Sequence, residues 1–206
     1  MNKSPYNLAE TLNVAKINFA GKNPLTMAAN SGCLLDLGNN RFTVRLLGQI
    51  YLVDYPSGLV TCKIKGSEAA LVVSILLLHY LTQATGVEPD GNWISFKELQ
   101  GGSIYSEPFE KRAITPFVKS FGNLHDDFAE AALKLGGEQT EFGDISFIMP
   151  VLPRVSIIYI LWSGDDEFPP SGNILFDKYA NAYLPTEDLA MLSGVTVGAL
   201  VKSINN

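Results

Sequence analysis

The stretch ISFIMPVLPRVSIIYILW, residues 145–162, decides the fold class of this 206-residue chain. Every second residue from Ile145 to Val151 is apolar, which predicts a strand with one buried face. The run of residues 155–162 is apolar on both faces, which is typical of an interior strand. Because Pro153 supplies a turn between the two runs, they predict a hairpin at the centre of a sheet.

A second alternating stretch, residues 41–46, predicts another half-buried strand. Turn residues flank it and recur after the next strand, so the connections are too short for anything but antiparallel neighbours. The expected strands of this small meander are residues 33–37, 41–46, 49–54 and 59–65.

Helical patterns surround both groups of strands. Two short helices fill residues 1–32, and a buried central helix runs from a Ser67 cap to Thr85. Another helix begins at a Ser106 cap with Pro108 in its first turn, and Pro116 restarts or kinks that helix. Together these patterns predict a single α+β domain spanning residues 1–206. Its antiparallel or mixed sheet is covered by helices, and residues 1–32 pack on it.

Composition excludes several classes of protein. Fifteen basic against 21 acidic residues give a net charge of −6, so we expect no nucleic-acid partner. The longest apolar run, residues 69–78, is shorter than the roughly 20 residues of a membrane span. With no signal-peptide pattern either, we expect a cytoplasmic protein without a membrane partner. Two cysteines exclude four-cysteine zinc and iron–sulfur sites.

Acidic residues are concentrated after the predicted central strand, where Asp165, Asp166 and Glu167 are consecutive. Carboxylate oxygens are ligands for a divalent cation if the loop brings them together. Two alternatives remain open, a solvated acidic loop and a surface that recognises a basic partner.

Aromatic residues cluster in residues 93–109 and again in residues 162–177. If the two stretches meet, they form an apolar cleft for a small molecule, and acids beside it meet a polar or cationic group; otherwise the rings are core. The candidate ligand-binding residues are Trp93, Tyr105, Phe109, Trp162, Asp165, Glu167, Asp177 and His79.

His79 lies in the predicted buried helix. An imidazole there is either a core residue with one hydrogen bond or an axial ligand to a corrinoid or other tetrapyrrole.

Several motifs carry a family resemblance, among them LLLHYL at residues 76–81, WISFKEL at 93–99, LWSGDDEFP at 161–169 and YLPTED at 183–188. In this order they resemble a prokaryotic family, met mostly in anaerobes and known only as a domain of unknown function. Some members carry an additional four-cysteine segment like that of corrinoid proteins, which this chain lacks. The resemblance implies a cytoplasmic accessory role in corrinoid or one-carbon chemistry and assigns no site residue.

Three functional hypotheses follow from these patterns. The chain binds a small ligand between its aromatic stretches, or it is an accessory subunit whose acidic loop binds a protein partner. The third hypothesis is an enzyme in which Asp165, Asp166 and Glu167 hold a divalent cation that activates water.

Overall fold

The computed structural model describes residues 7–205 and is α+β, as predicted. Contacts group the chain into two compact units. The first extends to Val87 and takes in Ala182–Leu184, and the second comprises Glu88–Asn181 and the chain from Pro185 onward. Each unit contains one antiparallel sheet. The expectation of one domain stays a prediction.

The first unit contains the predicted meander. Its elements are α1 (Leu8–Ala20), α2 (Pro24–Ser31), β1 (Leu34–Asp36), β2 (Arg41–Leu46), β3 (Gln49–Asp54), β4 (Leu59–Cys62) and α3 (Leu71–Gln83), with the strands in the order β1-β2-β3-β4. The alternation of β2 is confirmed, because Phe42 and Val44 are fully buried while Arg45 is exposed.

The start of α3 differs from the prediction. Ser67 does not cap it, because residues 67–69 continue alongside β4: Glu68 forms a β-bridge with Thr61, and the Ala69 N–H donates to the Val60 carbonyl at 2.9 Å. The predicted start of the first helix, Ser4-Pro5, lies outside the described residues.

The second unit is built on the quoted hairpin. Its elements are β5 (Trp93–Ser95), α4 (Gly102–Phe109), α5 (Thr115–Phe121), α6 (His125–Lys134), β6 (Glu138–Thr140), β7 (Ile145–Leu152), β8 (Val155–Trp162), β9 (Ser171–Asp177) and α7 (Thr186–Ile204), with the strands in the order β5-β9-β8-β7-β6. The predicted interior strand is therefore the central strand, β8. No helix within residues 7–205 is both long and apolar enough to cross a membrane.

A π-helical turn, Glu110–Ile114, joins α4 to α5. The prediction that Ser106 caps a helix is wrong, because α4 begins at Gly102 and holds Pro108 in its interior. Pro116 lacks an N–H, and its ring clashes with the carbonyl four residues back, that of Arg112. The backbone widens there, and the Thr115 N–H bonds the Glu110 carbonyl five residues back.

Both edges of the five-stranded sheet are short. The edge strands β5 and β6 have three residues each, whereas their neighbours β9 and β7 have seven and eight. Beyond β5, the side-chain carbonyl of Asn173 accepts the N–H of Ile174 at 2.8 Å. Beyond β6, strand β7 carries Pro150, which has no N–H to offer.

Candidate functional site

Three rings from the two aromatic stretches meet, and they meet in the core. The Phe96 ring stacks on the Phe109 ring at a centroid distance of 4.0 Å, and both contact Phe176 at 5.8 and 6.0 Å. All three rings are buried. Phe109 is thus accounted for by ring packing inside the second unit.

Asp177, the last residue of β9, is also accounted for by local structure. Its Oδ2 accepts the N–H groups of Asp90 and Gly91 at 3.1 and 2.8 Å, and its Oδ1 accepts that of Tyr179 at 2.8 Å. The side chain is buried, so these bonds replace the water that a carboxylate needs. Asp177 fixes the turn that leads into β5.

The other candidates away from the acidic loop lie in different elements. Trp93 is half-buried in β5 opposite Asp177, and Tyr105 is half-buried in α4. His79 is half-buried in α3 and belongs to the first unit. Its role as a ligand to a corrinoid stays a prediction.

The acidic loop, residues 163–170, connects β8 to β9 and is shaped by Asp165. Its Oδ1 accepts the N–H groups of Glu167 and Phe168 at 2.8 and 2.7 Å, and its own N–H donates to the Phe168 carbonyl at 2.9 Å. The bonds from Phe168 and Glu167 hold the pKa of the Asp165 carboxyl below its usual range. Asp165 therefore folds the tip of the loop, and Asp166 and Glu167 are exposed on it.

A second turn, residues 141–144, lies at the same end of the sheet because β7 begins where β8 ends. Oδ2 of Asp144 accepts the Ser163 N–H at 2.7 Å. Hydrogen bonds from Ser163 hold the pKa of Asp144 below its usual range, and the nearby His125 adds to this effect. A Cβ on Gly143 would lie 3.2 Å from Cε2 of Trp162, so the indole lies against this turn.

Three aromatic rings are exposed at this end. The exposed fractions are 41% for Phe142, 37% for Trp162 and 66% for Phe168. We call these rings, together with the acidic residues of the loop, the sheet-end patch; its members are Phe142, Trp162, Phe168, Asp165, Asp166 and Glu167. Sequence reasoning missed Phe142 and Asp144, although the predicted hairpin places the residues before β7 beside Trp162.

A recess of about 450 Å³ adjoins the end of the acidic loop. It is lined by Val118, Leu124 and both prolines of the loop, Pro169 and Pro170, with Lys119 among its polar residues. The turn between α5 and α6 comes so close to Pro170 that a Cβ on Gly122 would lie 2.9 Å from that ring. The loop is therefore packed against the helices on this side.

The acids of the loop do not come together as a group of three possible metal ligands, and metal binding by Asp165, Asp166 and Glu167 stays a prediction. Within residues 7–205 there is no group of three histidine, cysteine, aspartate or glutamate side chains placed to hold an ion. Oδ1 of Asp165 is engaged by backbone N–H groups instead.

A family model described as "Domain of unknown function (DUF3786)" matches residues 23–199. The chain belongs to this family. The match begins just before α2 and ends within α7, so the DUF3786 region contains both sheets and the whole sheet-end patch. The resemblance to a family known only as a domain of unknown function is confirmed, and its prokaryotic, mostly anaerobic membership stays a prediction. No curated protein and no solved structure matches this DUF3786 chain.

Proposed function

We propose that this protein is an accessory protein that binds a partner, and that the sheet-end patch docks a basic region of that partner. The observation that carries the proposal is the exposure of Trp162 and Phe168 beside three consecutive carboxylates.

Exposed aromatic rings favour a protein interface. Clustered exposed apolar side chains mark interaction sites, and tryptophan is enriched among the residues that dominate binding energy. Phe168 stands on a loop whose tip is held by the Asp165 hydrogen bonds. Since these bonds already order the backbone of the loop, that backbone loses little conformational entropy when a partner binds.

The charge of the patch indicates the chemistry of the partner. Asp165, Asp166 and Glu167 give the loop a local negative potential, and the whole chain carries −6. Complementary charge speeds association and selects against acidic partners. Lysine or arginine side chains of the partner would meet the carboxylates, and their alkyl stems or cationic heads would cover the rings.

The structure favours this hypothesis over the other two. Of the aromatic residues that were expected to line a ligand cleft, Phe109 is packed against Phe96 and Phe176 in the core. The described acids form no three-ligand cation site. A docking surface requires neither a cleft nor a metal centre, and the recess beside Pro170 adds a place for an apolar side chain of the partner.

The test is capture from a native lysate with the full chain as bait, followed by cross-linking and mapping of the linked residues. The double variant Asp166→Lys/Glu167→Lys reverses the charge without touching the Asp165 bonds. We expect it to abolish capture of the partner, Phe168→Ala to weaken capture, and cross-links to map to residues 163–170.

The matched control is Glu110→Lys/Glu138→Lys, which makes the same charge change at two exposed residues outside the patch. It should capture the partner as the unmodified chain does. Unchanged thermal stability would show that each variant is folded. Capture by the patch variant at the level of the control would refute the proposal.

A further inference from the structure

A separate pocket in the first unit combines a cationic rim with the carbonyl groups at the end of a helix. Its volume is about 410 Å³, and it lies between the start of α2 and the end of α3. Polar residues line most of it, and the buried side chains of Met27 and Leu81 add apolar surface. This volume is in the usual range of small-molecule sites.

The rim around Lys22 is held in place by its backbone. The Lys22 N–H donates to the Phe19 carbonyl at 3.2 Å, and the Tyr55 hydroxyl donates to the Lys22 carbonyl at 3.1 Å. Asn23 then caps α2, its side-chain oxygen accepting from Leu25 and Thr26 at 2.9 and 3.1 Å. Because that cap takes the first N–H groups of α2, the positive charge of the rim is that of the Lys22 ammonium.

The opposite side of the pocket is the C-terminus of α3. The Thr85 N–H, which would continue the helix, donates to the Ala182 carbonyl instead. No N–H or O–H group of residues 7–205 donates to the carbonyls of Leu81, Thr82 or Gln83, three residues that line the pocket. Unpaired carbonyls at a helix C-terminus carry partial negative charge and favour a cation.

The end of α3 is fixed against α2. The Asn30 side chain donates to the Ala84 carbonyl at 2.9 Å. The chain then turns at Gly86 with a φ of +83°, and a Cβ there would lie 3.0 Å from the Asn30 side-chain oxygen. The backbones on the two sides of the pocket therefore stand at a set separation.

We propose that this pocket binds a small zwitterion of the α-amino acid type. Its carboxylate pairs with the Lys22 ammonium and its ammonium donates to the carbonyls at the C-terminus of α3. No carboxylate of the described chain lines the pocket, so a ligand ammonium is held by carbonyls and a ligand carboxylate meets no like charge. The volume leaves room for a side chain beyond the two charged groups.

The experiment is an NMR titration of the isotope-labelled full chain with each of the twenty L-amino acids, up to millimolar concentration, the weak end of specific binding. At least one amino acid should shift the amide signals of residues 22–30 and those of residues 81–85 in the same titration. The best binder is then compared with its deaminated and decarboxylated analogues, and each analogue should bind at least about tenfold more weakly.

Two variants test the two ends of the ligand separately. Lys22→Gln should lower the affinity about tenfold, and Lys63→Gln, an exposed lysine outside the pocket, should leave it unchanged. Gln83→Lys places an ammonium beside the carbonyls and should abolish binding, whereas Gln83→Glu should retain it. The absence of coupled shifts with every amino acid, equal binding of either analogue, or unchanged affinity in Lys22→Gln would overturn the proposal.

Discussion

The carboxylate of Asp177 shows how one residue of a functional-looking cluster is explained by the backbone around it. The N–H groups of Asp90, Gly91 and Tyr179 donate to it. Because the carboxylate is buried, these three bonds take the place of water around it. From the sequence alone, Asp177 was a ligand-binding candidate. Its burial and its hydrogen bonds depend on a chain segment about 87 residues away, and the sequence does not show that this segment lies beside it.

We expect Asp177→Ala to lower the free energy of unfolding by about 1–3 kcal/mol, because it removes the buried carboxylate that accepts three part-buried N–H groups. Asp166→Ala, at an exposed acid of the loop, should change it by less than about 0.5 kcal/mol. Urea denaturation of both variants measures the difference. Equal midpoints would show that the Asp177 bonds contribute nothing to stability.

At the scale of elements, the sequence predicted the strands whose apolar residues recur at a regular spacing. It missed the features that depend on proline or on contacts between residues distant in the chain. The alternation before Val151 and the apolar run of β8 gave the central hairpin correctly. The π-helical turn at residues 110–114 was not predicted. The sequence shows the position of Pro116, but it does not show how the backbone accommodates the Arg112 carbonyl that the proline ring displaces. The sheet-end patch required the pairing of β7 with β8 before Phe142 could join Trp162.

The displaced carbonyl of Arg112 faces α7, and a Cβ on Gly194 would lie 2.8 Å from its oxygen. Gly194→Ala should therefore destabilise the protein by about 1–3 kcal/mol, since two backbones must separate. Gly198→Ala, one turn later with open space around it, should stabilise by about 0.5–1 kcal/mol through helix propensity. Thermal unfolding of both variants measures these changes. Midpoint temperatures that shift in the same direction in the two variants would contradict this account.

At the scale of the whole molecule, the chain passes from the first unit to the second, returns for Ala182–Leu184, and leaves again. The returning segment is part of the first unit's core, where the buried Tyr183 ring stacks on Tyr80 at 6.0 Å and its hydroxyl donates to the Val87 carbonyl. Unfolding of the second unit releases both ends of that segment, so the first unit loses part of its core.

We therefore expect the two units to unfold in one transition, consistent with the single domain predicted from the sequence. The chain supplies a probe for each, since both cysteines, Cys33 and Cys62, are buried in the first unit and both tryptophans, Trp93 and Trp162, lie in the second. Burial raises the pKa of Cys33 to about 11, so its thiol reacts only on unfolding. Thiol labelling and tryptophan fluorescence should give the same urea midpoint, and separate midpoints would show independent domains.

The short β5 and β6, the absent N–H of Pro150 and the side-chain bond of Asn173 have a consequence for the protein in crowded solution. Fibrils grow when a strand from one molecule adds to an open sheet edge of another. The two edges of the five-stranded sheet leave few backbone N–H and C=O groups to which such a strand could bond. Concentrated samples of the folded chain should therefore remain dispersed rather than polymerise through the five-stranded sheet.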